Sequence, residues 1–368
     1  MNHPPLNHLY FYLTEGCNLA CRHCWLSPKL ETEILQCPFL PVDHFERAVH
    51  EAKPLGLQGV KLTGGEPLMH PEFRKILEII RREALSLTIE TNGLLCTSEM
   101  AREIAQTPRR FVSVSLDGAN AKTHEWIRGK AGSFDAACRA VKNLVSAGIR
   151  PQIIFTIMRK NVVQVESMIE LSESLGAASI KFNLVQPTAR GERLHEMQEH
   201  LEISELIVLG NKVEQQWSSE TKLKLYYDYP MAFRALSRIA DGQGCSICGI
   251  KGILGVMADR RYVLCGIGQH LPEMVFGRIG EDPLEKIWTE NRILQSLREG
   301  LPEQLEGVCS RCLMKGRCLG SCLAQNYYRS GRLWSPFWFC RQAEEAGLFP
   351  VSRLRPENSP RGISESHG

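Results

Sequence analysis

Leu9-Tyr10-Phe11-Tyr12-Leu13-Thr14-Glu15-Gly16-Cys17-Asn18-Leu19-Ala20-Cys21-Arg22-His23-Cys24 is the stretch from which the fold is read. Its first part, over residues 9–14, is aromatic and aliphatic and reads as a buried strand. Its second part is a loop leaving that strand with three thiols at C-x3-C-x2-C spacing. Three thiolates so close together can wrap one face of a four-iron cube and leave its fourth iron without a protein ligand. A zinc knuckle is the competing reading. Structural zinc takes four ligands, and the fourth here would be His23, inside the tight loop, or Cys37.

Outward from this stretch, further β-rich runs at 59–63, 85–90, 111–116, 152–157 and 179–184 alternate with helical patterns such as 41–53, 71–82, 133–147 and 162–175. This is the arrangement of βα units around a parallel sheet. The second strand runs into Gly64-Gly65-Glu66-Pro67, the third into Thr91-Asn92-Gly93, the fourth into Asp117-Gly118 and the sixth into Gln186-Pro187. All these clusters fall at the carboxyl ends of strands, the rim where ligands bind in parallel barrels and open α/β sheets.

Composition narrows the class. A chain of 368 residues makes one large domain or two, and a net charge of +3 does not point to a nucleic-acid partner. The N-terminal residues carry no secretory signal and no apolar run spans a membrane, so a cytoplasmic protein with no membrane partner is expected. In a reducing compartment, 14 cysteines point to metal rather than disulfides.

The cysteines fall in two arrays. Beyond the first lie Cys245-x2-Cys248, Cys265, Cys309-x2-Cys312-x5-Cys318-x3-Cys322 and Cys340, eight thiols that suffice for two fully ligated four-iron clusters or for two zinc ribbons. The expected organisation is a partial barrel over 1–195, a connecting helical region over 196–240, a cysteine-rich domain too irregular to continue the barrel over 241–350, and a disordered tail over 351–368. Cys96 and Cys138 read as small core residues. Cys37 has no assigned role.

Cys17-x3-Cys21-x2-Cys24 followed by Gly64-Gly65-Glu66-Pro67 resembles the radical S-adenosylmethionine (radical SAM) superfamily. The resemblance implies an α/β fold, a partial (β/α)6 TIM-like barrel, in which SAM chelates the open iron and is reductively cleaved to a 5′-deoxyadenosyl radical. It also implies roles for single residues. Gly64, Gly65, Glu66 and Pro67 form the segment that takes the methionine ammonium, with the glycines allowing close approach to the ligand. Asn92 lies on the same rim, Ser115 and Asp117 face the ribose, Arg128 lies near the SAM carboxylate, and Leu184 and Val185 lie on the adenine side. His23 stands where the family often places an aromatic residue.

The second array is similar to the SPASM domain of peptide-modifying radical SAM enzymes. That likeness implies two auxiliary 4Fe–4S clusters, for three in all. Cys245, Cys248, Cys265 and Cys322 would hold one, and Cys309, Cys312, Cys318 and Cys340 the other. Two positions depart from the pattern: Arg260 replaces a frequent glycine, and Gly266 stands where sulfatase-maturing members carry a catalytic aspartate. The expected function is therefore modification of a ribosomally synthesised peptide by crosslinking, epimerisation or backbone excision, with likeness to maturases of nif11-type leaders and to spliceases. The alternatives are a SPASM enzyme acting on a haem precursor or an alcohol, and a sulfatase-maturase-like protein. Implied partners are a precursor peptide, a separate leader-peptide-binding protein, since only 16 residues precede Cys17, and a flavodoxin- or ferredoxin-type electron donor.

Overall fold

The computed structural model describes residues 3–26, 28–29, 37–240 and 248–356. Two compact units are present: Met1–Asp228 with Gly249–Glu299, and Tyr229–Cys248 with Gly300–Gly368. Among the described residues, no helix is long and apolar enough to cross a membrane.

The first unit is built on one sheet. Its strands are β1 (His8–Tyr12), β2 (Gly59–Thr63), β3 (Ser86–Thr91), β4 (Arg110–Ser115), β5 (Gln152–Ile157), β6 (Ser179–Leu184), β7 (Lys224–Tyr227), β8 (Ile253–Val256), β9 (Arg261–Val263) and β10 (Val275–Arg278). They lie in the order β10-β9-β8-β1-β2-β3-β4-β5-β6-β7. The order has two ends, so this is the expected partial barrel rather than a closed one. β1 through β7 pair in parallel with their sequence neighbours.

Residue alternation explains why these segments are strands. Leu9, Phe11, Leu62, Ile89, Val114, Phe155 and Phe182 are fully buried on one face. Tyr10, Lys61, Thr88, Glu90, Lys181 and Asn183, between them in register, are half-buried on the other. The apolar face packs on helices, as where Phe11 meets Phe45 of α1 (Val42–Ala52) with ring centroids 4.3 Å apart. α2 (Phe73–Arg82) and α3 (Ser98–Ala105) follow, the latter capped by Thr97, whose Oγ1 accepts from Met100 N at 3.1 Å. α4 (Ala121–Arg128) is capped by Asn120 and ends on left-handed Gly129. α5 (Ser133–Ser146) and α6 (Val165–Ser174) are followed by Gly148 and Gly176, both at positive φ.

The sheet extends further than expected in both directions. β7, read from sequence as part of a connecting region, adds to the sheet beside β6. β8 pairs in parallel with β1, and β9 and β10 follow antiparallel. The segment after residue 248 therefore does continue the barrel sheet. Ile253-Leu254-Gly255-Val256 is too short for periodicity to show in sequence, and a Cβ on Gly255 would stand 2.8 Å from the Val263 side chain, so the close pairing with β9 needs glycine.

The second unit is centred on Phe339, fully buried, with Phe233 at 5.0 Å and Trp338 at 5.7 Å between ring centroids. Trp338 Nε1 donates to Gln325 Oε1 at 3.0 Å. Of the expected tail, Val351–Arg353 form a 3-10 turn and Leu354 bridges to Cys312; residues 357–368 lie outside the described residues.

Candidate functional site

The three-thiol loop is held on two sides. From the β2 rim, Gly65 N–H donates to Thr14 O at 2.9 Å and Glu66 N–H to Gly16 O at 3.0 Å. A Cβ on Gly65 would stand 1.8 Å from Gly16 O, and Gly64 has φ +128°. The expectation that these glycines let the backbone approach a ligand thus needs an addition, since they also let β2's exit lie flat against the cysteine loop. From α4, Trp126 O accepts from Arg22 Nε and Ile127 O from Arg22 N, both at 2.9 Å, and the Arg22 guanidinium lies 4.5 Å from the Trp126 ring centroid. Cys17 and Cys21 are buried and Cys24 half-buried.

Glu66 is buried, and its carboxylate accepts from Leu68 N (3.2 Å), Thr91 Oγ1 (2.6 Å) and Asn92 N (2.8 Å). It clasps the β2 rim to the β3 rim. Burial pushes its carboxyl up to about 7, against the pull of those three bonds. Pro67 opens the short turn that follows. Asn92, fixed by this clasp, donates from Nδ2 to Asn18 Oδ1 at 2.7 Å and to Cys17 Sγ at 3.9 Å.

Arg128, at the C-terminal end of α4, is 6% exposed. Its Nη2 lies 2.7 Å from Asp117 Oδ2 and its Nη1 donates to Cys21 Sγ at 3.5 Å. Asp117 is fully buried; Oδ1 accepts from Thr156 N at 2.7 Å, and its N–H donates to His124 Nδ1 at 3.1 Å. Burial alone would raise the Asp117 pKa, but Arg128 and His23 hold it below the usual range. His23 Nε2 lies 3.6 Å from Asp117 Oδ2. Burial pushes His23 down to about 4 and His124 to about 3, so both are neutral at pH 7. Asp117, read from sequence as facing a ribose, has a carboxylate largely engaged by Arg128 and Thr156. Ser115 ends β4 half-buried. Leu184 is buried, and buried Val185 packs with Ile127, Met158 and Leu194.

The residues fit an iron–sulfur cluster with a ligand beside it. The three thiols sit on one loop with buried donors on two of them, and Arg128 Nε, His124 Nε2 and His23 Nδ1 are buried without a protein partner. Buried polar atoms are seldom left so. Among the described residues, no three Cys, His, Asp or Glu side chains converge on a single metal ion.

Of the second array, Cys309, Cys312, Cys318 and Cys340 line one pocket of the second unit with Pro230 and Phe349. Cys309 is held below the usual thiol range by a hydrogen bond from Cys340, and burial pushes Cys318 up to about 11. Cys248 and Cys322 belong to the same unit, Cys265 belongs to the first, and Cys245 lies outside the described residues. Cys37 is buried.

Two features had no sequence signal. A cavity of about 370 Å³ opens beside the loop, lined by Tyr12, Thr14, Gly64, Gly65, Met257 and Arg261. Trp25 lies against Gly266: a Cβ there would be 2.5 Å from the indole and 2.4 Å from Tyr12 Oη. Both depend on β8 and β9 joining the sheet.

A parallel half-barrel with a three-thiol loop on its carboxyl rim, closed over by a buried arginine, defines an iron–sulfur enzyme of the radical-generating class. Residues 11–172 match the family model of the radical SAM superfamily. The chain is 31% identical over 333 residues to the AdoMet-dependent heme synthase of Methanosarcina barkeri, covering 87% of this chain and 91% of that protein. It is 28% identical over 365 residues to the mycofactocin maturase MftC of Mycolicibacterium smegmatis, covering 95% and 86%. Its fold matches Streptococcus suis SuiB, in a structure bound to precursor peptide SuiA, with a TM-score of 0.71 at 16% identity over 92% of this chain and 76% of that one. The chain belongs to the radical SAM superfamily, and that family implies SAM and a 4Fe–4S cluster.

Proposed function

We propose that this enzyme modifies a ribosomally synthesised peptide, by crosslinking, epimerisation or backbone excision. When bound, the cluster supplies the electron that cleaves SAM and so starts radical chemistry. Cys17, Cys21 and Cys24 would hold it, leaving one iron open for SAM. Arg128 offers a buried cation to the SAM carboxylate, and the turn around Gly64, Gly65 and Glu66 offers acceptors to the ammonium. Ser115 and Asp117 would face the ribose and Leu184 and Val185 the adenine, with Asn92 on the same rim. A SPASM-type arrangement would give one auxiliary cluster to Cys309, Cys312, Cys318 and Cys340 and the other to Cys245, Cys248, Cys265 and Cys322, with electrons delivered by a flavodoxin- or ferredoxin-type donor.

The observation that carries the peptide reading is the resemblance along 95% of the chain to MftC, a maturase by name. The cavity of about 370 Å³ against Gly64 and Gly65 falls where the methionine end of SAM would lie. The 31% identity to a heme synthase favours a second reading, oxidation of a haem precursor. The test is co-expression with short peptides encoded beside the gene, with a small leader-binding protein supplied, followed by mass spectrometry in light and heavy water. Loss of mass indicates crosslinking or excision, and solvent deuterium at one α-carbon indicates epimerisation. Unchanged peptides together with turnover of a haem precursor would overturn the peptide reading.

A further inference from the structure

We propose that Asn92 and Arg128 raise the reduction potential of the cluster held by Cys17, Cys21 and Cys24, by donating hydrogen bonds to two of its three cysteine sulfurs. The inference rests on the assignment of that cluster and concerns what this chain adds to it. Asn92 comes from the β3 rim and reaches Cys17 Sγ at 3.9 Å; Arg128 comes from the end of α4 and reaches Cys21 Sγ at 3.5 Å. The two donors thus approach from different elements, and neither sulfur depends on its own loop for the contact.

Both donors are buried and held from behind. Asn92 is 7% exposed, its N–H is bound by Glu66, and its Oδ1 accepts from Leu94 N at 3.0 Å. Arg128 is aimed by Asp117, which is in turn fixed by Thr156 N–H. The Asp117 carboxylate offsets the net charge of the guanidinium, so what Cys21 meets is chiefly a directed N–H dipole. Reduction adds one electron to the cluster and moves no atom. Added negative charge on the sulfurs strengthens each hydrogen bond, so the bonds favour the reduced state, and the low dielectric around them enlarges the effect.

The test uses the full chain, reconstituted anaerobically, as wild type, Asn92→Ala, Asn92→Asp and Arg128→Lys. Each is titrated potentiometrically without SAM, following the paramagnetic signal identified in the wild type by its change when SAM is added and by its absence when Cys17→Ala, Cys21→Ala and Cys24→Ala are combined. At the wild-type midpoint, the ratio of reduced to oxidised cluster should fall about threefold to tenfold in Asn92→Ala and Arg128→Lys, tenfold being 59 mV for one electron. Asn92→Asp, which keeps the shape and the bond to Leu94 but replaces the donor by a carboxylate, should fall furthest. Midpoints equal to wild type in variants with wild-type iron content would overturn the inference. So would loss of the cluster from both Asn92→Asp and Arg128→Lys, which would make the two contacts structural only. A wild type that forms no SAM-responsive cluster would instead refute the cluster assignment itself.

Discussion

One guanidinium ties the metal-ligand loop to the loop that follows β4: Arg128 lies 3.5 Å from Cys21 Sγ through Nη1 and 2.7 Å from Asp117 Oδ2 through Nη2. Both partners are out of water. Removing the carboxylate by Asp117→Ala leaves a buried cation without its counter-ion, which costs about 3–5 kcal/mol. For a unit of this size the melting temperature should fall by roughly 6–15 °C. Calorimetry that finds the variant within 2 °C of wild type would refute this account of the pair.

Cys17, Cys21 and Cys24 have no substitute within their loop. Changing all three to Ala should remove about four iron and four sulfide per chain and abolish 5′-deoxyadenosine formation from SAM with a chemical reductant. Iron that does not belong to this loop should remain. Formation of 5′-deoxyadenosine at the wild-type rate would contradict the assignment.

Glu66 carries a carboxyl pushed up to about 7 by burial. The folded chain therefore keeps a proton that the unfolded chain releases above about pH 4.5. Between those two values stability falls as pH rises, by about 3 kcal/mol in total, and levels off above pH 7. Glu66→Gln loses one hydrogen bond but has nothing to titrate. Melting temperatures measured from pH 5 to pH 8 should fall more steeply for wild type than for the variant, and parallel curves would show that Glu66 is ionised throughout.

Gly266 leaves room for the Trp25 ring. Gly266→Asp must displace that indole, and a loss of about 2–4 kcal/mol is expected, as for other overpacked sites. Trp25→Ala makes the space. In a double-mutant cycle the two changes together should destabilise less than their sum by at least about 1 kcal/mol. Additive losses would mean that the ring and residue 266 do not compete.

Much of this was legible in sequence. β2, β5 and β6 have the predicted bounds because each is a short run rich in β-branched and apolar residues, and β1, β3 and β4 shift by only a residue or two at their ends. The first cysteine loop and the Gly64-Gly65 turn were legible because their chemistry is local. Three things were not. β8 and β9 are too short to show a period, and their place depends on pairing with β1 across the whole chain. The burial of Asp117 depends on α4 bringing Arg128 back to the loop that follows β4. Trp25 against Gly266 is a contact between residues far apart in sequence, and no pattern along the chain records it.

The pairing of His8 with Ile253 also bears on how the protein is made. During synthesis β1 leaves the ribosome first and acquires β2 on one side within seconds, but its other edge has no partner until β8 emerges. At 5–20 residues per second this takes roughly 10–50 s. Throughout that interval a hydrophobic strand edge stands open, exposed to aggregation. The late arrival of β8 makes closing that edge of β1 one of the last steps in completing the sheet.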